Sequence, residues 1–265
     1  MFFPLNIIVL ENEPSSQRGG QERSLLDVCR GFRSKGHSLT LLYAKAGDLL
    51  QEYQKICQSI IQVHGYSIQN KWNPLTYIYF LADVLKVPRF QSSVVYSNQY
   101  HDTLFGEVLS CLKKIKFICH LRLVPPGEFC GQWTLGLKGV HLFIATSQHA
   151  RSEWVKRGVQ KDKIRGVYNG VDPDFFLPAK NFEKNQQSFG VTEHEHVIAY
   201  IGRIDRDKGL ESLLRSLPGV KRSFPTVKLF IAGKPVNHRT PEEGLRYQES
   251  LSELAKNLGM AKDVK

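Results

Sequence analysis

Short apolar runs alternate with helical-period segments along most of this 265-residue chain, and that alternation leaves few folds open. Leu5–Leu10 reads as a strand buried on both faces. A helix over Gln21–Lys35 follows, with Leu25, Leu26, Cys29 and Phe32 on one face and Gly36 suited to its C-terminal cap. Further strands are expected at Ser38–Ala44, Ile60–His64, Val94–Ser97, Lys116–His120, Leu142–Thr146 and Lys163–Tyr168. Helices are expected at Leu75–Val87, Thr103–Lys113 and Gln148–Arg157. The pattern predicts an α/β fold with a right-handed, doubly wound parallel sheet, in which ligands bind beyond the C-terminal ends of the strands.

The stretch from Phe175 to Val191 is polar and unpatterned, as a linker is. A second series follows: strand Val197–Ile201, helix Leu210–Ser223, strand Val227–Ala232 and helix Gly244–Leu258. The division expected is a Rossmann-like N-terminal domain over 1–178, a linker over 179–192, and a partial second Rossmann-like domain over 193–265. Two strands and two helices make a small core, so the chain reads as C-terminally truncated.

The net charge of +11 is spread along the chain without a basic run. A spread excess suits anionic small molecules or a membrane surface, and no basic-plus-aromatic patch points to nucleic acid. Five cysteines without a C-x-x-C pair read as buried, reduced thiols of a cytoplasmic protein. No apolar run approaches the ~20 residues of a membrane span. Pro74–Leu85 reads as a core helix, with a monotopic contact at the inner face of a membrane as the other reading.

The stretch richest in chemistry is Val197–Leu217, VIAYIGRIDRDKGLESLLRSL. A strand enters Gly202-Arg203, Lys208-Gly209 follows, and a helix begins. Helix N-termini carry unpaired N–H groups and partial positive charge, so Arg203 and Lys208 placed there suit a diphosphate. The ordinary alternative is two surface cations on a loop.

Four features together resemble group 1 (family 4) retaining GT-B glycosyltransferases. They are Arg18-Gly19-Gly20-Gln21-Glu22 with Arg33-Ser34-Lys35-Gly36-His37 before strand two; His120 ending KFICH; Ile144-Ala145-Thr146-Ser147 with the later Asn169-Gly170-Val171-Asp172; and Gly202-Arg203 with Lys208-Gly209. The resemblance implies a GT-B-like fold and transfer of a sugar from a nucleotide-sugar donor to a saccharide, lipid or small-molecule acceptor. It implies that Gly19 and Gly20 form a glycine loop near acceptor and diphosphate, since glycine lets backbone N–H groups approach a phosphate. It further implies that His120 faces the transferred sugar, and that Gly20, Arg203 and Lys208 hold the donor diphosphate. Retention in this family is discussed as a front-face substitution, so no nucleophile is assigned. The family's paired glutamates in an E-P-F-G-like segment have no counterpart here. A non-catalytic remnant serving as a binding module is therefore the alternative.

No cofactor or metal is expected. Asp172-Pro173-Asp174 and Asp205-Arg206-Asp207 have the D-x-D form of a metal-diphosphate site, but cations already take that role here. His194-Glu195-His196, just before a strand, reads as a solvated turn. G-x-S-x-G, H-E-x-x-H, G-x-x-x-x-G-K-[ST] and G-x-G-x-x-G are all absent from the sequence.

Overall fold

The computed structural model describes residues 3–90, 92–177, 188–235 and 241–265. The chain divides into two compact units, Met1–Val171 and Asp172–Lys265. Of the linker expected over 179–192, residues 179–187 lie outside the described residues.

The first unit is built on seven strands: β1 (Asn6–Leu10), β2 (Ser38–Tyr43), β3 (Ser59–Gln62), β4 (Ser93–Ser97), β5 (Lys116–Leu121), β6 (Leu142–Ala145) and β7 (Ile164–Gly166). They pair in the order β3-β2-β1-β4-β5-β6-β7, every pair parallel. The order reverses between β1 and β4, which makes their C-terminal ends the topological switch point. The helices are α1 (Gly20–Ser34), α2 (Leu50–Ile56), α3 (Pro74–Lys86), α4 (Thr103–Lys113), α5 (Gly131–Lys138) and α6 (Gln148–Lys156). The short α2 and α5 were not expected from the sequence pattern.

Strand alternation sorts the core into two layers. Ile7, Val9, Leu39, Leu41 and Tyr96 pack with Leu25, Leu26 and Cys29 of α1 and Tyr53 of α2. Ile8, Leu10, Val95, Phe117, Cys119 and Leu121 pack on the opposite face with Phe80, Val84, Phe105 and Trp154. The helix α3 forms where the apolar run predicts and lends Phe80 and Val84 to the core, but only one of its faces is buried. Phe80, Asp83 and Val84 are its buried residues. The thiol reading is also corrected in part: all five cysteines are unbridged, but Cys111 and Cys130 are exposed and only Cys29 and Cys119 are fully buried.

The second unit pairs β8 (His196–Ile201) with β9 (Val227–Ala232) in parallel. Val264 makes a further parallel bridge to Leu229, with Lys265 N donating to Leu229 O at 2.8 Å. Helices α7 (Leu210–Ser223) and α8 (Pro241–Asn257) contribute Leu210, Leu214, Leu217, Tyr247 and Leu251 to one cluster with Ile204 and Leu229.

Packing of α5 on α4 depends on one missing side chain. A Cβ on Gly136 would lie 2.3 Å from the Thr103 carbonyl carbon and 2.4 Å from Leu104 N, both backbone atoms. Gly136→Ala must separate the two helices. It is expected to lower unfolding stability by about 1–3 kcal/mol, read as a lower urea midpoint at unchanged m-value.

Candidate functional site

Period-two alternation on three strands carries polar residues onto the α1 side of the sheet at its C-terminal end. Ile7 and Val9 face α1, and Glu11 follows them; Tyr96 faces α1, and Asn98 follows it; His120 and Arg122 follow in the same way on β5. The pattern that buries the apolar layer therefore gathers Glu11, Asn98, His120 and Arg122 at the switch point. All four are buried.

Arg122 is the hub. Its Nε donates to Asn98 Oδ1 at 2.9 Å, and its Nη1 donates to Ser24 Oγ at 2.8 Å and Asn169 Oδ1 at 2.9 Å. Asn98 Nδ2 in turn donates to Glu11 Oε2 at 2.9 Å. Burial lowers the pKa of the Arg122 guanidinium, while Tyr96 and Glu11 act the other way. Burial, helped by the nearby Glu22, pushes the Glu11 carboxyl up to about 7, against the Asn98 hydrogen bond.

His120 lies against Tyr96, whose hydroxyl is 2.5 Å from His120 Nδ1. Burial pushes the Tyr96 phenol up, so it keeps its proton. Where that phenol donates to Nδ1, the imidazole carries its proton on Nε2. Burial, with Arg122 nearby, lowers His120 to about 3. His120 Nε2 and Arg122 Nη2 are both buried without a hydrogen-bond partner among the described residues. His120 is on β5 and Arg122 just past its end, so this end of the sheet presents two buried nitrogens without partners.

The glycine loop is held beside this network. Leu49 N donates to Pro14 O at 3.0 Å, and Ser16 N and Oγ donate to the Asp48 carboxylate at 2.7 and 2.5 Å. Gly19 is the N-cap of α1 with φ 153°, a conformation that favours glycine, and no side chain caps the helix. A Cβ on Gly20 would meet nothing within 4 Å, so the approach to the first turn is open. Ser147, by contrast, is spent on structure: its hydroxyl caps α6 by accepting from Ala150 N at 3.0 Å.

In the second unit, β8 leads through Gly202 and Arg203 to a 3-10 turn over Arg206–Lys208 and then to α7. A Cβ on Gly233 would fall 1.8 Å from Gly202 O, so the chain ends of β8 and β9 meet backbone to backbone. Tyr200 donates its hydroxyl proton to Arg203 O at 2.6 Å, and the buried Asp205 accepts from Asp207 N at 3.2 Å and lies 3.7 Å from Arg203 Nη2. Gly209, at φ 71°, is the N-cap of α7 without a side-chain cap, and Lys208 beside it is exposed. Asp205 thus pins a turn. Asp172 does likewise, accepting from Asp174 N at 2.9 Å. Glu195 of the His-Glu-His stretch accepts from Thr192 N at 2.8 Å.

Gly19, Gly20 and His120 lie at the strand ends of the first unit, and Arg203 and Lys208 on one loop of the second. Sequence reasoning assigned no role to Glu11, Ser24, Tyr96, Asn98 or Arg122, and quoted Asn169 without one. The available signal was an arginine two residues beyond His120 on an apolar strand, where a buried cation demands partners.

Two family profiles match the chain in succession: Glycosyltransferase Family 4 over residues 18–175 and Glycosyl transferases group 1 over residues 181–265. An uncharacterized glycosyltransferase of Methanocaldococcus jannaschii is 23% identical over 239 residues, which cover 81% of this chain and 59% of the relative. D-inositol 3-phosphate glycosyltransferase of Mycolicibacterium smegmatis is 27% identical over 140 residues, or 53% of this chain and 30% of the relative. The chain thus spans well under two thirds of these relatives' length. Among solved structures, a glycosyltransferase from Rickettsia africae matches with a TM-score of 0.78 at 17% identity, covering 100% of this chain and 68% of that one. Anabaena HepE, solved in complex with UDP and glucose, matches with a TM-score of 0.75 at 19% identity, covering 98% and 68%. These likenesses show the GT-B fold. With profiles matched over both units and the Family 4 profile alone covering more than half of its residues, the chain belongs to the group 1, family 4 glycosyltransferases.

Proposed function

We propose that the chain acts as a retaining glycosyltransferase that takes a sugar from a nucleotide-sugar donor and passes it to a saccharide, lipid or small-molecule acceptor. The observation that carries this reading is the pair of buried nitrogens without partners at the end of β5, His120 Nε2 and Arg122 Nη2. A buried donor without an acceptor costs about 1–3 kcal/mol, which a ligand oxygen recovers. His120 has lost its proton well below neutral pH. Its part is a hydrogen bond to a sugar oxygen rather than proton delivery. Arg122 adds a charge-assisted donor that the hydrogen bonds on its other nitrogens hold still.

Departure of a nucleoside diphosphate builds negative charge, which cations and helix N-termini stabilise. In this reading Arg203 forks onto diphosphate oxygens, and Lys208 adds a point charge at the uncapped start of α7. Gly19 and Gly20 are assigned to a glycine loop that gives backbone access at the start of α1, where no side chain caps the helix. No protein nucleophile is assigned. The bond from the anomeric carbon to the diphosphate breaks as the acceptor oxygen bonds on the same face, and the acceptor's proton passes to the departing phosphate oxygen. HepE structures hold UDP, so UDP is the first nucleotide to try.

Calorimetric titration of the chain with UDP, GDP and ADP tests the diphosphate assignment. One nucleotide is expected to bind, and Arg203→Ala or Lys208→Ala to weaken it ~10-fold or more. Unchanged affinity in both variants would refute the assignment. A folded chain that binds none of the three would favour a non-catalytic binding module.

Glu11 gives the first unit a pH signature. Its folded value of about 7 lies above the ordinary 4.5, so the folded chain holds this proton more tightly than the unfolded one. That contribution is complete below about pH 4.5 and is lost as the pH rises through about 7, a change of about 3 kcal/mol. His120, lowered by burial, acts in the opposite sense, losing stability as the pH falls from 6.5 toward about 3. The difference between wild-type and Glu11→Gln stability curves isolates the Glu11 term. The variant is expected to gain on the wild type as the pH rises from 5 to 8, and parallel curves would mean that Glu11 is ionised throughout.

A further inference from the structure

The helix α3 is apolar on the wrong side for a helix that faces water. Its buried residues point one way, and the stripe Leu75, Ile78, Ala82 and Leu85, spaced i, i+3, i+7 and i+10, points the other. Leu75, Ile78 and Leu85 are 50%, 58% and 61% exposed, and Leu81 beside them is 47% exposed. Tyr77 and Tyr79 flank the stripe, and Trp72 in the preceding turn is 96% exposed. That turn is built rather than loose. Trp72 N donates to Asn70 Oδ1 at 3.0 Å, Thr76 Oγ1 donates to Asn70 O and Asn73 O, both at 2.8 Å, and Asn73 caps the helix by accepting from Leu75 N at 3.0 Å. The fold holds an indole and an aliphatic stripe out from the surface in a fixed arrangement.

The charge around the stripe names the partner. From Tyr53 to His101 the sequence has one acidic residue, Asp83, against Lys55, Lys71, Lys86 and Arg89. Asp83 is fully buried, where it accepts from His64 N at 2.6 Å and pairs with Lys86 Nζ at 2.9 Å. The exposed side of α3 therefore bears no carboxylate, while Lys71 before it and Arg89 after it are exposed. Aliphatic residues edged by tyrosine and tryptophan, with cations at both ends, match a bilayer interface with anionic headgroups. At 13 residues the helix is too short to cross, and no described helix is long and apolar enough to do so.

We propose that α3 and Trp72 form a docking surface that seats the chain on an anionic lipid bilayer, with the helix lying in the plane of the interface. The surface is independent of the nucleotide assignment, since none of its residues belongs to the sites described above.

Flotation with vesicles of phosphatidylcholine alone, or mixed with phosphatidylglycerol, tests this without any nucleotide. The full chain is expected to float with the mixed vesicles, and its tryptophan emission to shift to the blue. Trp72→Phe should abolish that shift. The triple variant Leu75→Ser, Ile78→Ser, Leu85→Ser alters only exposed side chains. It should keep its circular dichroism and lose vesicle affinity ~10-fold or more. Lys71→Glu with Arg89→Glu should weaken binding to the mixed vesicles. Failure of the wild type to float, or flotation of the triple variant at wild-type affinity, would overturn the proposal. So would a wild type that self-associates in solution and becomes monomeric in the triple variant without ever binding vesicles, because the occupant would then be a second copy.

Discussion

A buried guanidinium organises the first unit. Arg122 sits almost out of solvent, and a cation there is tolerated only where its charge is answered and its donors are used. The groups that answer it arrive from distant parts of the sequence: Ser24 on α1, Asn98 after β4 and Asn169 after β7, with Glu11 after β1 reached through Asn98. Satisfying one side chain therefore ties the strand order, the placement of α1 and the path of the chain beyond β7 to each other. Register is equally constrained. A one-residue slip of β5 would turn Arg122 toward the layer of Phe117, Cys119 and Leu121, where no partner waits.

The second unit builds its loop by another means. Its positions are set chiefly by backbone, through the contact of Gly233 with Gly202 and through the Tyr200 hydroxyl on Arg203 O. Asp205 shapes the turn from within by accepting the Asp207 amide. The base of Arg203 is thereby fixed while Lys208 extends from an exposed turn, an arrangement suited to oxygens of a flexible diphosphate. In the first unit the bonding capacity of Arg122 is mostly consumed internally, and what is left over points one way.

The alternation of apolar runs and helical periods was enough to place β1 through β9 with α1, α3, α4, α6, α7 and α8, because each of these elements carries an apolar run or a clear helical period. The helices α2 and α5 escaped notice. LQEYQKI is short, with Tyr53 as its one fully buried residue, and GQWTLGLK carries two glycines that read as loop. At the site, glycines and lone cations were legible because they break a pattern. The Arg122 network was not, since Glu11, Asn98 and Asn169 lie far apart in sequence and only the crossover of the sheet brings their side chains together. The D-x-D pairs show the converse, a conspicuous spacing that shapes turns, through the hydrogen bonds of Asp172 and Asp205 to following amides.

The reading of α3 as a core helix accounts for one of its faces only, and the reason is physical. Periodicity records where apolar residues lie around a helix, not what covers them. A helix apolar on all sides reads as interior because interior is the commonest place where both faces find apolar neighbours. Here the sheet takes the Phe80 and Val84 side, and Leu75, Ile78 and Leu85 stay outside. Had this outer face evolved merely to be soluble, a carboxylate would be expected among its residues, as Asp27 of α1, Glu52 of α2 and Glu211 of α7 reach the surface on theirs. The single acid of α3 instead turns inward to His64 and Lys86. Burying Asp83 takes the one carboxylate of α3 off its outer face, while leaving Lys71 and Arg89 exposed to attract an anionic surface.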